Sequence, residues 1–224
     1  MPRMISVPCW QGLSYSFDPA RTAFLAIDMQ RDFLDAGGMC AELGEDVSGL
    51  RATVPIVTDL LDAARRARLT VIHTREGYAP DFSDMHELKR ARHSVGQTGP
   101  LGRFLIRGEA GHDFVDECRP LGGETVIDKP GFSSFYKTGL EALLRGKDIS
   151  HLVIAGVTAQ CCVLSTIRAA VDRGFHCLLL ADACAALDAK LHRATLDIIQ
   201  GENHLFGWIA DSAELIAALA PNPR

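Results

Sequence analysis

One cysteine stands where a predicted strand ends and a helix begins. Residues 151–157 are apolar and β-branched enough to form a buried strand, and residues 159–173 have helix-compatible spacing with Gly174 as a stop signal. Cys162 therefore falls in the first turn of the predicted helix. Unpaired N–H groups and the positive end of the helix dipole favour an anion there, so we expect a lowered thiol pKa and a nucleophile.

Two charged residues are expected near the same point. Asp28 lies near the end of the predicted strand 24–29, and Lys129 ends the predicted strand 124–129. Because the carboxyl ends of parallel strands lie at one edge of a sheet, these two side chains and the Cys162 thiol can converge there. A cation favours a thiolate, and hydrolysis needs a group that moves protons. Taken singly, Asp28 could cap a turn and Lys129 could be a solvated surface residue.

Strands and helices alternate along the chain. Further strands are predicted at 69–74, 176–183 and 206–210, and helices at 54–68, 138–145, 188–200 and 212–219. The expected fold is a doubly wound, Rossmann-like α/β fold of three layers, in which a mostly parallel sheet of about six strands has helices on both faces. We expect a single domain over residues 1–224, because 47% hydrophobic content at this length can bury one substantial core.

The alternation breaks between residues 77 and 123, where glycines and prolines punctuate a mostly polar stretch. An unstructured loop of that length inside a compact domain usually covers a site or meets a partner. This segment, called the excursion below, is expected to be a lid, a subunit contact or both.

Composition narrows the possible partners. A net charge of -5 argues against a surface for nucleic acid or anionic membranes, and no apolar run is long enough to span a bilayer. The first residues lack the apolar core of a secretory signal, so we expect a cytoplasmic protein. Its seven cysteines, odd in number and irregularly spaced, do not resemble a disulfide framework or a zinc site. A small-molecule substrate and further copies of the chain are the expected partners.

Several motifs together resemble the isochorismatase-like cysteine hydrolases over most of the chain. They are Asp28-Met29-Gln30 with Asp32-Phe33, Asp128-Lys129-Pro130 with Phe135-Tyr136, and Gly156-Val157-Thr158 through Cys162-Val163 with Thr166. The resemblance implies a catalytic triad of Asp28, Lys129 and the nucleophile Cys162, with Cys161 only its neighbour.

The resemblance also implies a backbone arrangement and an assembly. A cis peptide is expected between Val157 and Thr158, with the N–H groups of Thr158 and Cys162 forming an oxyanion hole. A homo-oligomer is implied, and a tetramer is favoured.

The resemblance bears on metals as well. Isochorismatases proper generally lack this cysteine, so its presence points to C–N hydrolysis. Nicotinamidases of the same superfamily hold a metal through an Asp-x-His segment after the second strand, where this chain has His73-Thr74-Arg75-Glu76. We therefore expect no metal and no cofactor, and nicotinamide is disfavoured as substrate.

Three segments, 74–84, 107–113 and 206–208, look like the branch of the superfamily that holds biuret hydrolase, which acts on biuret and, in close relatives, triuret. Two positions depart from that branch. Phe132 replaces a lysine, and Glu202-Asn203-His204 replaces a Gln-Gly segment. Both are expected to border the substrate, which makes triuret a candidate beside biuret.

Further substrate contacts are expected from charged and aromatic residues. Arg75, Glu76 and Glu202 are candidates for reading the N–H and C=O edges of a small polar substrate, and Phe33 for a wall of the site. A surface salt-bridge set is the alternative interpretation of the three charged residues.

The predicted function is cleavage of a C–N bond in a small carbamoylated urea, of biuret or triuret type, through a thioester on Cys162 with release of ammonia. The nearest alternative is a hydrolase of another small amide, such as an N-carbamoyl or ureidoacrylate-type compound. A nucleotide-binding module would need a G-x-G-x-x-G or P-loop motif, which is absent. A catalytically silent scaffold is the third possibility, and the intact triad argues against it.

Overall fold

A parallel sheet of six strands forms the centre of the computed structural model, which describes residues 4–92 and 94–220. The strands of the described chain are β1 (Ile5–Pro8), β2 (Ser14–Phe17), β3 (Thr22–Ile27), β4 (Thr70–Glu76), β5 (Thr98–Gly99), β6 (Gly102–Arg103), β7 (Thr125–Lys129), β8 (His151–Val157), β9 (His176–Ala185) and β10 (Trp208–Ala210). The large sheet has the order β10-β9-β8-β3-β4-β7, and each neighbouring pair is parallel.

This strand order creates a crevice at the middle of the sheet. From β3 the chain proceeds outward through β4 to β7, then crosses to β8 and proceeds outward in the other direction through β9 to β10. Ligands of open α/β sheets bind outside the carboxyl ends of the strands at such a reversal, here between β3 and β8. The predicted doubly wound fold of about six strands is confirmed.

Helices cover both faces of the sheet. They are α1 (Arg31–Leu34), α2 (Met39–Glu42), α3 (Ser48–Arg51), α4 (Thr53–Arg66), α5 (Glu87–Arg92), α6 (Leu140–Gly146), α7 (Leu164–Val171), α8 (Ala189–His204) and α9 (Ser212–Leu219). In β3 the side chains of Phe24 and Ala26 join a core with α4 and α9, whereas Ala23, Leu25 and Ile27 join a second core with α6, α7 and α8. This alternation, which follows from the two-residue period of a strand, produces the three layers.

Some elements differ from the sequence-based expectation. The helix predicted at 159–173 begins with a π-helical turn, Ala159–Val163, before α7. Helix α8 extends past its predicted end at 200, and its last turn contains left-handed residues, of which Glu202 has φ 50°. The hairpin of β1 and β2 and the short helices α1 to α3 were not predicted, because segments of four residues show no clear period.

The excursion is structured over its described residues. It contains α5, a small hairpin of β5 and β6, and a 3₁₀ turn at Asp116–Cys118. Backbone hydrogen bonds tie it to the segment after β3, from the N–H of Asp32 to the carbonyl of Gly111 and from the N–H of Val115 to the carbonyl of Met29. The excursion therefore packs beside the crevice of the sheet. In the part of the chain that the structure describes, no helix combines the length and apolar character needed to cross a membrane.

Candidate active site

The predicted nucleophile lies directly after β8, at the crevice. Cys162 sits in the π-helical turn and is 3% exposed. The preceding Val157–Thr158 peptide bond is cis, as the resemblance implies. The carbonyl of Thr158 accepts hydrogen bonds from the N–H groups of Cys161 and Val163, at 3.1 and 3.3 Å. The oxyanion hole built from the N–H groups of Thr158 and Cys162 stays a prediction.

The structure brings the three predicted catalytic side chains into one buried cluster. The Nζ of Lys129 lies 2.7 Å from Oδ2 of Asp28 and 3.3 Å from Sγ of Cys162. It also donates a hydrogen bond to the carbonyl of Gly131 at 2.9 Å. Asp28 and Lys129 are inaccessible to solvent. An acid, an ammonium and a thiol thus meet although they come from three distant parts of the chain.

Asp28 is fixed by the neighbouring strand β4. The hydroxyl of Thr74 donates a hydrogen bond of 2.6 Å to Oδ1 of Asp28, and the N–H of Asp28 donates to the carbonyl of Thr74 at 3.1 Å. Asp28 itself adopts a left-handed conformation with φ 52°, which turns the chain away from the sheet just after β3. Non-glycine residues at positive φ are uncommon, and aspartate is among those that tolerate it best.

Glu76, predicted only as a substrate contact, is a fourth member of the cluster. The Cys162 thiol donates a hydrogen bond of 3.3 Å to its Oε2, and Nζ of Lys129 lies 3.8 Å from the same oxygen. The other oxygen, Oε1, accepts hydrogen bonds from Nζ of Lys89 at 2.5 Å and from the hydroxyl of Tyr78 at 3.0 Å. Glu76 is 3% exposed, so both of its oxygens are held inside the protein.

Sequence reasoning missed Lys89. This residue lies on α5 in the excursion, is 5% exposed, and places its ammonium beside Glu76. Its sequence neighbourhood is polar and charged, and nothing in that pattern distinguishes it from a solvated lysine. Only the packing of the excursion against β4 reveals its position.

Burial and mutual charge determine the protonation of the cluster. Burial alone would lower the pKa of Lys129, but the carboxylates of Asp28 and Glu76 outweigh it and raise that pKa. Burial raises the pKa of Asp28 although Lys129 opposes the shift. Burial would raise the pKa of Glu76 too, yet Lys129 and Lys89 together lower it. Lys129 is therefore charged, and Asp28 is the carboxylate better suited to take up a proton.

The expectation of a lowered pKa at Cys162 is wrong for this arrangement. The hydrogen bond with Cys161, burial, and the carboxylates of Asp28 and Glu76 raise the pKa of the Cys162 thiol, and Lys129 only partly offsets them. The sequence indicated the cation and the helix start, but it did not reveal the second carboxylate. This shift favours the protonated thiol over the thiolate at Cys162.

A cavity of about 280 Å³ adjoins the cluster. Its lining residues are His86, Lys89, Gly131, Phe132, Ser133, Tyr136 and Ser165. Phe132, one of the residues expected to border the substrate, is 37% exposed, and Nζ of Lys89 lies 3.8 Å from the centre of its ring. Since Lys89 and Gly131 contact both the cavity and the cluster, the cavity is the natural place for the remainder of a substrate.

Two of the predicted substrate contacts lie elsewhere. Arg75 forms a two-pronged ion pair with Asp128 of β7, at 2.7 and 3.1 Å, because successive side chains of a strand point to opposite faces and Glu76 faces the cluster. Glu202 is exposed in the left-handed turn of α8. Within the described residues, no hydrogen bond or ion pair joins either side chain to the cluster. The salt-bridge interpretation fits Arg75.

Phe33 is placed in the core. It lies on α1, is 7% exposed, and belongs to the hydrophobic cluster that also contains Met29 and Tyr78. Its predicted role as a wall of the site stays a prediction.

The cluster also resembles a set of metal ligands. Ligand-type atoms of Asp28, Glu76 and Cys162 all lie within 4.8 Å of one another. The Lys129 ammonium already contacts these three groups and supplies positive charge among them. That the enzyme works without a metal stays a prediction.

A buried thiol hydrogen-bonded to an ammonium, with a carboxylate behind that ammonium, at the reversal point of a doubly wound sheet, defines an enzyme with a cysteine nucleophile. Comparisons with known proteins agree. The isochorismatase domain matches residues 22–214, and the chain belongs to the isochorismatase family. It is a cysteine hydrolase of that family.

The relatives include proteins of named activity. Ureidoacrylate amidohydrolase RutB of Yersinia enterocolitica is 30% identical over 225 residues, which cover 93% of this chain and 94% of that protein. A cysteine hydrolase from Pseudomonas syringae pv. phaseolicola superposes with a TM-score of 0.81 at 27% identity over 97% of both chains. N-carbamoylsarcosine amidase from Thermoplasma acidophilum gives a TM-score of 0.66 at 25% identity, over 87% of this chain and 98% of that one.

Proposed function

We propose that this protein is an amidohydrolase that cleaves the terminal C–N bond of a small ureido or N-carbamoyl compound and releases ammonia. The observation that carries the proposal is the buried contact of the Cys162 thiol with the Lys129 ammonium, which in turn pairs with Asp28. The relatives named above act, by their names, on ureidoacrylate and on N-carbamoylsarcosine, and both compounds contain a carbamoyl amide. This supports a ureido acid as substrate ahead of biuret or triuret.

In the first half of the reaction, Asp28 takes the thiol proton and the sulfur of Cys162 attacks the carbamoyl carbon. The carbonyl is a poor electrophile because its nitrogen donates electrons, so stabilisation of the oxyanion carries much of the catalysis. The N–H groups of Thr158 and Cys162 supply that stabilisation. The C–N bond then breaks, Asp28 returns its proton to the departing nitrogen as ammonia, and a thioester remains on Cys162.

In the second half, water attacks the thioester while Asp28 accepts one of its protons. The C–S bond breaks, the carbamate or carboxylate product leaves, and the thiol is regenerated. Lys129 holds Asp28 in place at 2.7 Å throughout and stabilises the sulfur anion in each half. Burial of the cluster keeps bulk water away from the thioester until ammonia has left.

The substrate is held by Glu76 and the adjoining cavity. Oε2 of Glu76 faces Cys162, so it lies beside a carbonyl under attack by the sulfur. From there it accepts hydrogen bonds from the ureido N–H groups. The rest of the molecule extends past Phe132 into the cavity, where the Lys89 ammonium favours a carboxylate at the far end. A neutral compound such as biuret gains nothing from that charge.

A substrate panel tests the proposal. Ammonia release is measured with ureidoacrylate, N-carbamoylsarcosine, biuret, triuret and nicotinamide, at equal concentration. We expect the highest kcat/KM for one of the two ureido acids and none for nicotinamide. A higher kcat/KM for biuret or triuret would move the substrate class back to the carbamoylated ureas, and activity on none of them would remove the proposal.

Two variants make the panel interpretable. Cys162→Ala should abolish ammonia release, whereas Cys161→Ala, which changes the adjacent cysteine, should retain it within about tenfold. If Cys162→Ala released ammonia at the wild-type rate, the cysteine mechanism would be wrong.

A further inference from the structure

The Cys162 thiol is bound to a carboxylate that is itself rigidly held. Its hydrogen bond runs to Oε2 of Glu76 at 3.3 Å. The backbone N–H of Glu76 donates to the side-chain carbonyl of Gln30 at 2.7 Å, and Lys89 and Tyr78 occupy Oε1. The Glu76 side chain therefore cannot rotate away from the sulfur without losing Lys89 and Tyr78. A proton on Cys162 has a fixed acceptor in the empty site.

The charges of the cluster balance only while that proton stays. The groups that face Cys162 are Asp28 after β3, Glu76 at the end of β4, Lys129 at the end of β7, Cys161 in its own turn, and, behind Glu76, Lys89 on α5. Two carboxylates and two ammonium groups sum to zero with a neutral thiol. A thiolate formed by loss of the proton to solvent would leave a net negative charge inside the protein, which burial disfavours.

We propose that Glu76 keeps Cys162 protonated and unreactive in the empty enzyme, and that substrate N–H groups replace the thiol on Glu76 and release its proton to Asp28. Lys89, paired with Oε1 of Glu76, offsets part of the negative charge that this carboxylate places beside the sulfur. The inference rests on the proposed function, because it requires a substrate with N–H groups beside the scissile carbonyl. It makes the nucleophile active only when such a substrate is bound.

The released proton has a defined destination. The S–H bond of Cys162 breaks, an O–H bond forms on Asp28, and the sulfur keeps the electron pair with which it attacks the carbonyl carbon. Asp28 becomes neutral as the sulfur becomes negative, so the net charge of the cluster stays zero. Glu76 remains a carboxylate and now accepts N–H groups instead of S–H. The same proton later leaves on ammonia.

Alkylation of Cys162 by iodoacetamide in the absence of substrate tests the inference. The rate at neutral pH reports the thiolate fraction, and mass spectrometry of the modified peptide separates Cys162 from Cys161. Glu76→Gln removes one negative charge and leaves a single oxygen, which Lys89 and Tyr78 occupy, so alkylation should become about tenfold faster, the effect of one pKa unit. Its kcat/KM for ammonia release should fall at the same time. Glu87→Gln, the same change on the exposed side of α5, should alter neither rate.

Lys89 supplies the opposite test. Lys89→Met leaves Glu76 without its nearest ammonium, so alkylation of Cys162 should become about tenfold slower, and Lys89→Arg should restore most of the rate. Glu76→Gln alkylation no faster than wild type, or Lys89→Met alkylation no slower, would overturn the inference. If circular dichroism shows that Glu76→Gln does not fold, the alkylation rates of Lys89→Met and Lys89→Arg decide the test alone.

The two proposals fail in different ways. The alkylation experiment uses no substrate, so it can fail while the panel of amides succeeds. Ammonia release by Cys162→Ala would instead remove the proposed function, whatever the alkylation rates.

Discussion

At the scale of single residues, Lys129 holds the buried charges of the active site together. Its ammonium is inaccessible to solvent and lies 2.7 Å from Asp28 and 3.8 Å from Glu76. A buried carboxylate that loses its partner is left as an uncompensated charge in a medium of low polarity. We therefore expect Lys129 to stabilise the fold as well as the sulfur anion, and the two roles can be separated by measurement.

Lys129→Met should abolish activity and destabilise the protein by about 3 to 5 kcal/mol, since it leaves two buried carboxylates without this cation. Urea unfolding at neutral pH measures the loss, and Lys147→Met, an exposed lysine, serves as the control with little change. Burial raises the pKa of Asp28, so this carboxyl takes up a proton and loses its charge as the pH falls. The loss of unfolding free energy in Lys129→Met, relative to wild type, should therefore become smaller in acid.

A double-mutant cycle compares Lys129→Met, Asp28→Asn and the variant that carries both substitutions. Removing both charges should recover part of the stability that Lys129→Met loses. Additive losses from the two substitutions would show that the ion pair does not hold these charges in the fold.

At the scale of elements, the site depends on how closely β8 approaches β3. Gly156 has φ 124°, and a Cβ at this position would collide with the carbonyl oxygen of Ile27, the last residue of β3. The glycine is thus required where the two strands lead into Cys162 and Asp28. No other residue both adopts this conformation readily and fits the space.

Gly156→Ala should lower the melting temperature and reduce kcat, because β8 must shift and take Cys162 with it. We expect a loss of about 2 to 4 kcal/mol by urea unfolding. Gly146→Ala, at the end of α6 with no atom near its added Cβ, is the matched control and should leave both quantities nearly unchanged. Wild-type stability in Gly156→Ala would mean that the strands can separate at no cost.

A second element contact, between α4, β4 and the start of β7, gives a pH-dependent prediction. Partial burial would raise the pKa of Glu124. Hydrogen bonds from Arg65, from the N–H of Leu121 and from His73 outweigh burial and lower this pKa from 4.5 to about 2. A carboxyl with a depressed pKa stabilises the fold above its unfolded pKa and loses that contribution as the pH falls through its folded pKa. The stabilisation should therefore be complete above about pH 4.5 and disappear towards pH 2.

Glu124→Gln should cost about 1 to 2 kcal/mol at neutral pH, and the difference from wild type should vanish as the pH approaches 2. Urea unfolding across this range measures it. Asp62→Asn, which removes the more exposed carboxylate paired with Arg65, should have a smaller effect. A deficit of Glu124→Gln that persists unchanged in acid would contradict the assigned pKa.

The elements also show what the sequence could and could not predict. The apolar runs of β3 and β8 were visible because buried parallel strands have a continuous signal, and their ends located Asp28 and Cys162. The edge strand β7, which ends at Lys129, gave a weaker signal because it is only partly buried. Lys89 and the contact of Glu76 with the sulfur were not visible, because both depend on how the excursion packs against β4. The ion pair of Arg75 with Asp128 was not visible either, because it follows from the sheet register, which periodicity does not reveal.

At the scale of the whole molecule, the excursion completes a site that the sheet begins. Asp32, 1% exposed, joins the two: its Oδ2 accepts the N–H of Leu105 at 2.7 Å, and its Oδ1 accepts the N–H of Met39 at 3.3 Å. A Cβ on Gly111 would collide with this carboxylate, which shows how tightly the excursion lies against it. By holding the excursion, Asp32 also holds Lys89 beside Glu76.

Asp32→Asn tests this coupling between the body and the excursion. An amide offers one oxygen for two N–H groups, so either Leu105 or Met39 loses its acceptor, at a cost of about 1 to 3 kcal/mol. Hydrogen exchange should accelerate at residues 105–112 while the strands of the sheet stay protected, and kcat/KM should fall because Lys89 is less well placed. Asp35→Asn, which loses only partly exposed ion pairs to Arg31 and Arg51, should change neither. Unchanged exchange in Asp32→Asn would mean that other contacts hold the excursion on the sheet, and Lys89 would then owe its position to them.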